Sequence, residues 1–237
     1  MDSRINHSSL PGKGRHPFPS FSQKNSPLAE IGEFVKVKSS ELIQKGENMK
    51  VLGIHGSPRK GGNTEILLKE FLRGCKEGGA EVEEVFLREL KITPCLEIYA
   101  CKKDGQCPIH DDMKALYPKL TETDVLAVAS PIFFYAVSAH LKAMIDRCQA
   151  LWARKYLLHQ LIAPGKSGRK GVFLAVGGSK GGKTFDGALL TMKYFFDALD
   201  LTFHRSLLYK EVDAKGEILQ HPTAMAEAYD LGKQAVK

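Results

Sequence analysis

Residues 50–64 read KVLGIHGSPRKGGNT. A short, mostly apolar run stops at a glycine-rich turn. Residues 64–79, TEILLKEFLRGCKEGG, then space apolar side chains at the period of a helix. Two glycines close that helix, as helix C-termini favour. Strand, glycine turn and amphipathic helix in that order open a strand–helix–strand unit, the building block of parallel sheets.

The alternation continues outward from this stretch. EVEEVFL (81–87) alternates like a strand, and after a cysteine-bearing loop DDMKALYPKLTET (111–123) reads as a short helix. DVLAVAS (124–130) is a buried strand and VSAHLKAMIDRCQALWARKYL (137–157) one long helix. KGVFLAVGG (170–178) is another buried strand, followed by the helix TFDGALLTMKYFFDALD (184–200). LTFHRSLLY (201–209) is the fifth strand, and TAMAEAYDLGKQAV (223–236) closes the chain as a helix. Five apolar strands alternating with helices imply a parallel sheet covered on both faces. They suit an α/β, flavodoxin-like three-layer fold with sheet order 2-1-3-4-5. In that order a ligand binds at the topological switch point, outside the carboxyl ends of strands one, three and four.

The turn after strand one is built for a phosphate. A helix N-terminus presents unpaired backbone N–H groups and a positive dipole end. Ser57, Asn63 and Thr64 add hydroxyl and amide donors, Arg59 adds a planar cation with Lys60 beside it, and the glycines permit close backbone approach. The loop lacks G-x-G-x-x-G spacing, so a mononucleotide fits it better than a dinucleotide.

Three motifs now stand in sequence order: GSPRKGGNT (56–64), SPIFFYAVSAHLKAMIDR (130–147) and GGSKGGKTFDG (177–187). Together they resemble the NADPH-dependent FMN reductase group, over residue 50 to about residue 209. The resemblance implies FMN as cofactor, with Ser57, Arg59, Lys60, Asn63 and Thr64 around its phosphate. Pro131, Ile132, Phe133 and Phe134 would line the isoalloxazine and ribityl chain, and Gly178, Ser179 and Gly181 would approach the ring. It further implies NADPH or NADH as co-substrate, a small-molecule electron acceptor, and a homodimer or homotetramer. No catalytic side chain is required, because a hydride can pass directly between stacked rings. A non-enzymatic flavodoxin-like electron carrier is the nearest alternative; the basic balance of the chain and Arg59 favour the reductase.

A second alternative comes from Gly177–Thr184, GGSKGGKT, which satisfies the Walker A pattern of nucleotide triphosphatases and lies between a strand and a helix. Only one strand follows it, and LTFHRSLLY does not end in the Asp that would help hold magnesium.

Composition narrows the field further. The chain has 237 residues, 43% of them hydrophobic, and no apolar run approaches the roughly 18 residues of a membrane helix. The first 21 residues carry no apolar secretory stretch, so a soluble cytoplasmic protein is expected. The net charge of +7 is spread among interleaved acids, without the basic stripe and stacking aromatics of nucleic-acid binders. Residues 1–48, rich in Ser, Pro, His and Gly, read as a disordered tail or extension with a short helix around residues 39–45, and residues 49–237 as the FMN-binding domain.

Of five cysteines, Cys75 and Cys148 fall in helical patterns and read as packed hydrophobes. Cys95, Cys101 and Cys107 share the loop PCLEIYACKKDGQCPIHDDM (94–113). The related iron–sulfur flavoproteins carry a C-x2-C-x2-C…C run here, four thiolates for a [4Fe–4S] cluster. In this chain Ile98 stands in the second place, so no iron–sulfur cluster and no other metal is expected. His110 as a substitute ligand, or zinc on three cysteines and a histidine, are the alternatives.

Overall fold

Successive side chains of a strand point to opposite faces, and β1 (Lys50–His55) shows what that does here. In a computed structural model, which describes residues 48–237, Leu52 and Ile54 enter one apolar cluster while Val51 enters another. The two clusters are the two sides of one sheet. β1 pairs in parallel with β2 (Glu81–Phe86) and β3 (Val125–Pro131). β3 pairs in parallel with β4 (Lys170–Gly177), and β4 with β5 (Thr202–Lys210). The order is β2-β1-β3-β4-β5, the flavodoxin-like arrangement expected from the alternation of elements.

On one face lie α1 (Asn63–Glu77) and α7 (Ala224–Ala235), supplying Leu67, Leu68, Phe71, Ala228 and Leu231 to the core. These two helices touch backbone to backbone. A Cβ at Gly74 would lie 2.1 Å from the Tyr229 carbonyl oxygen, and one at Gly232 would lie 2.0 Å from that of Phe71. The opposite face carries α3 (Met113–Glu122), α4 (Ala139–Arg147), α5 (Gln149–Tyr156) and α6 (Asp186–Ala198). They bury Leu116, Met144, Leu151 and Phe196 against Leu126, Val128 and Phe173 of the central strands. Hydrophobic burial on both faces explains why β3 and β4 read as continuous apolar runs.

The long helix expected over residues 137–157 is two helices, α4 and α5, with a turn at Cys148. The helical hydrogen-bond ladder is interrupted there. In a continuous helix the Arg147 carbonyl would accept the Leu151 N–H. Instead it accepts the Tyr117 hydroxyl at 2.8 Å, and Leu151 N–H turns to the Cys148 carbonyl at 2.9 Å. Residue 138 stays outside the helix, where the Ser138 hydroxyl caps α4 by accepting the Leu141 N–H at 3.3 Å. A one-turn helix, α2 (Cys101–Asp104), lies within the cysteine loop. The tail and the short helix around residues 39–45 lie outside the described residues. No described helix is long and apolar enough to cross a membrane.

Candidate functional site

β1 ends where Gly56 crosses closely over β3. Its N–H donates to the Ala129 carbonyl at 2.8 Å, and a Cβ there would meet the same oxygen at 2.8 Å. The Ser138 hydroxyl donates to the Gly56 carbonyl, and Ser138 N–H donates to the Ser130 hydroxyl at 2.9 Å. Two loops at the carboxyl edge of the sheet are thereby locked together.

From there the chain turns into α1. The Ser57 hydroxyl accepts the Arg59 N–H at 3.1 Å, and Gly61 takes a left-handed φ of 64°. Gly62 precedes the helix in extended conformation with no side-chain cap. The first-turn amides of Asn63 and Thr64 therefore have no intrahelical acceptor and point outward at the positive end of the helix. Glu65 shapes this loop from below. Its side chain is 5% exposed and accepts the Gly61 N–H at 3.0 Å, Lys69 at 3.0 Å and Arg88 at 2.9 Å. Burial alone would raise its pKa, but the Gly61 amide, Lys69 and Arg88 overcome that and bring it down to about 2.

Asn63 has a different task from the one its sequence position suggests. Its amide nitrogen donates to the Ala214 carbonyl at 2.9 Å, and its oxygen accepts the Ile218 N–H at 3.3 Å. Both polar ends thus pin the loop after β5. Arg59 donates to the Asp213 carbonyl of that loop at 3.3 Å, while its guanidinium remains exposed.

The loop after β3 forms a tight hairpin. Phe133 and Ala136 exchange N–H···O bonds of 3.0 Å each, and the two central residues, Phe134 and Tyr135, have φ of 49° and 63°. Positive φ at both central positions is the I′ turn, which normally takes Asn and Gly. Bulky aromatics there are strained, and Phe134 is completely exposed. After β4, the Thr184 hydroxyl closes the GGSKGGKT loop on itself. It donates to the Gly181 carbonyl at 2.8 Å and meets the Ser179 hydroxyl at 2.8 Å.

These loops enclose one cleft. Its lining includes Ser57, Arg59, Asn63 and Thr64 from the first loop, Pro131, Ile132 and Phe133 from the second, and Gly178 from the third. Of the residues picked out from sequence, Lys60, Phe134, Ser179 and Gly181 lie outside the lining. Pro58, Gly62, Val176, Val212 and Asp213 complete it and were not picked out. Val212 and Asp213 belong to a fourth loop, after β5. The sheet order was the available signal, because β5 borders β4 and its carboxyl end must open beside the loop of β4.

Beside the cleft, His55 is buried, stacked 4.1 Å from Phe86, with Nε2 2.8 Å from a Glu84 carboxylate oxygen. Burial lowers its pKa, against the pull of Glu84. Cys75 and Cys148 are buried as expected, and burial pushes the Cys75 thiol up to about 12. Cys95, Cys101 and Cys107 are half-buried in their loop.

The donor set fits a phosphate monoester carrying a flat apolar group. The lining combines helix-start amides, two hydroxyls and a guanidinium with the apolar Pro131–Phe133 stretch and side-chain-free Gly178.

Comparison with known proteins follows the same line. The family model for NADPH-dependent FMN reductase matches residues 49–203. An iron–sulfur flavoprotein of Methanocaldococcus jannaschii is 43% identical over 103 residues, 44% of this chain and 53% of the relative. A second iron–sulfur flavoprotein of that organism is 36% identical over 149 residues, 62% of this chain and 71% of the relative. The chain thus spans about half the length of the first relative and more of the second. A solved FMN-dependent NADH-azoreductase from Bacillus anthracis, in complex with FMN, superposes with a TM-score of 0.58. At 15% identity, over 79% of this chain and 100% of that one, this likeness shows the fold alone.

Proposed function

The chain belongs to the NADPH-dependent FMN reductase family, and from that premise we propose that it binds FMN and moves electrons from NADPH or NADH to a small-molecule acceptor such as a quinone. The observation that carries this reading is a cleft at the carboxyl edge of β1, β3 and β4 whose lining combines phosphate donors with an apolar wall. The first-turn amides of α1, the hydroxyls of Ser57 and Thr64, and Arg59 would hold the phosphate. Pro131, Ile132 and Phe133 would lie along the ring, and Gly178 would leave it room. Asn63 acts by tying the β5 loop, and with it Asp213, against the cleft. When bound, FMN supplies the hydride-accepting ring; the protein supplies placement and electrostatics.

The other candidate ligands from the sequence fit less directly. Lys60, Phe134, Ser179 and Gly181 do not line the cleft. Self-association as a homodimer or homotetramer would cover the exposed Phe134–Tyr135 turn. The Tyr135 carbonyl meets the start of α6 at Gly187, and the exposed Leu190 and Tyr194 continue that helix face. The triphosphatase reading is weakened because the Thr184 hydroxyl, which would face magnesium, is turned onto Ser179 and Gly181.

Anaerobic titration tests the proposal. NADPH or NADH should bleach the yellow absorbance of the FMN-loaded protein, and a quinone should restore it. Loaded protein that dithionite bleaches, but neither nicotinamide does, is an electron carrier and ends the enzyme reading.

A further inference from the structure

The cysteine loop runs Cys95-x2-Ile98-x2-Cys101-x5-Cys107-Pro108. Cluster loops of the C-x2-C-x2-C-x3-C-P kind set their first three thiolates at these intervals, with the last gap three residues where this chain has five, and a [4Fe–4S] cubane takes one cysteine per iron. Here the first, third and fourth places hold cysteine and the second holds isoleucine. All three cysteines are half-buried, and Cys101 opens the one-turn helix α2 inside the loop.

The backbone around Ile98 has an unusual shape. Glu97 and Tyr99, on either side of it, have left-handed φ of 52° and 61°. Neither is a glycine, so the turn is strained. Tyr99 is followed by Ala100 in right-handed helical conformation. Such alternation turns successive N–H groups into one concavity, a form that phosphate and iron–sulfur sites use. The loop is pressed onto α5, because a Cβ at Gly105 would fall 2.0 Å from Arg154 Cγ. Beneath it the Arg147 side chain is fully buried. It donates to Asp111 at 2.6 Å, to the Thr93 carbonyl at 2.8 Å and to the Ile109 carbonyl at 3.3 Å. By holding the backbone at Thr93 and Ile109, Arg147 pins the chain on both sides of the three cysteines.

The residues present do not fit a four-thiolate cluster. Ile98 has no ligating atom and its side chain is 55% exposed.

We infer that Ile98 occupies the place of a missing ligand, so that this chain carries no [4Fe–4S] cluster, while the loop around it remains a cradle that one further thiolate completes. Arg147 and the strained turn at residues 97–99 are the parts of that cradle still in place.

The full chain and its Ile98→Cys and Ile98→Ser variants are incubated anaerobically with ferrous iron, sulfide and a reducing thiol, then desalted. Iron and acid-labile sulfide are counted per chain, and electron paramagnetic resonance is recorded after dithionite. Ile98→Cys should retain about four iron and four sulfide, whereas the parent and Ile98→Ser should retain essentially none. Parent protein holding three or four iron per chain overturns the assignment of Ile98. Failure of Ile98→Cys to load overturns the cradle; the exposure of position 98 makes misfolding a testable excuse, and unchanged circular dichroism removes it. FMN content, measured on the same samples, judges the flavin reading separately.

Discussion

Replacing Glu65 by Gln should destabilise the protein by up to about 3 kcal/mol near neutral pH and flatten its response to acid. The magnitude follows from the surroundings of the carboxylate. Its pKa falls from 4.5 to about 2, because the Gly61 amide, Lys69 and Arg88 outweigh burial. At about 1.4 kcal/mol for each unit, the ionised form gains roughly 3 kcal/mol on folding. Lys69 is half-exposed, so solvent screening makes this an upper figure. A carboxyl whose folded pKa is depressed contributes fully above its unfolded value. That contribution is lost as pH falls from 4.5 through about 2. Glutamine keeps the size and can still accept the Gly61 N–H, but it leaves the Arg88 guanidinium, with 12% of its side chain exposed, without this carboxylate. Urea unfolding of parent and variant, at several pH values between about 7 and 3, measures the difference. The parent should lose the larger share of its stability across that acid range, and the two curves should converge. Parallel curves would refute the idea that this carboxylate is held so low. Because a neutral amide holds the Gly61 N–H more weakly than the carboxylate does, FMN affinity should fall in the same variant.

Arg59→Ala should weaken FMN binding by roughly 1.5 kcal/mol, the low end for a charged hydrogen bond, because the guanidinium is exposed; a fluorescence titration with unchanged affinity removes Arg59 from the site. Lys183→Ala should leave FMN affinity as it was, and neither protein should hydrolyse ATP with magnesium; an ATPase in the parent that vanishes in the variant would overturn the flavin assignment of the GGSKGGKT loop. Phe134→Asn places a residue tolerant of left-handed φ at a fully exposed turn position. It should raise stability by about 1 kcal/mol; a lower melting temperature would mean the aromatic is held by contacts that outweigh the strain.

Most of the architecture was legible in the chain because each central strand is apolar on both faces and each intervening helix keeps its period. What escaped was decided by single hydrogen bonds between distant residues. At the break before Cys148 the Arg147 carbonyl accepts the hydroxyl of Tyr117, 30 positions earlier, at 2.8 Å. No local pattern in residues 137–157 announces it. The same holds in the site. Ser57, Arg59 and Thr64 were readable as phosphate donors from a glycine-rich turn before a helix, and they line the cleft. Asn63 read as a donor too, yet both ends of its amide are engaged with residues 214 and 218. The fourth wall, Val212 and Asp213, carries no motif, since its role comes only from the place of β5 in the sheet.

The two glycine-rich loops show why position in the sheet outranks motif. GSPRKGGNT follows β1, whose neighbours β2 and β3 lie on opposite sides, so chain connections leave in opposite directions and a crevice opens at its end. Its helix begins at Asn63 with free amides facing that crevice. GGSKGGKT matches a stronger consensus, but it follows β4, away from the switch point. Its helix starts at Asp186, two residues beyond Thr184, whose hydroxyl is already consumed within the loop. What this second loop can offer the cleft is absence of bulk: Gly178 is in the lining, while Lys180 is drawn away into an ion pair with Glu211 at 3.1 Å. A phosphate would find donors at β1, and a flat ring would find clearance at β4. A ligand with a phosphate at one end and a flat ring at the other can use both offers.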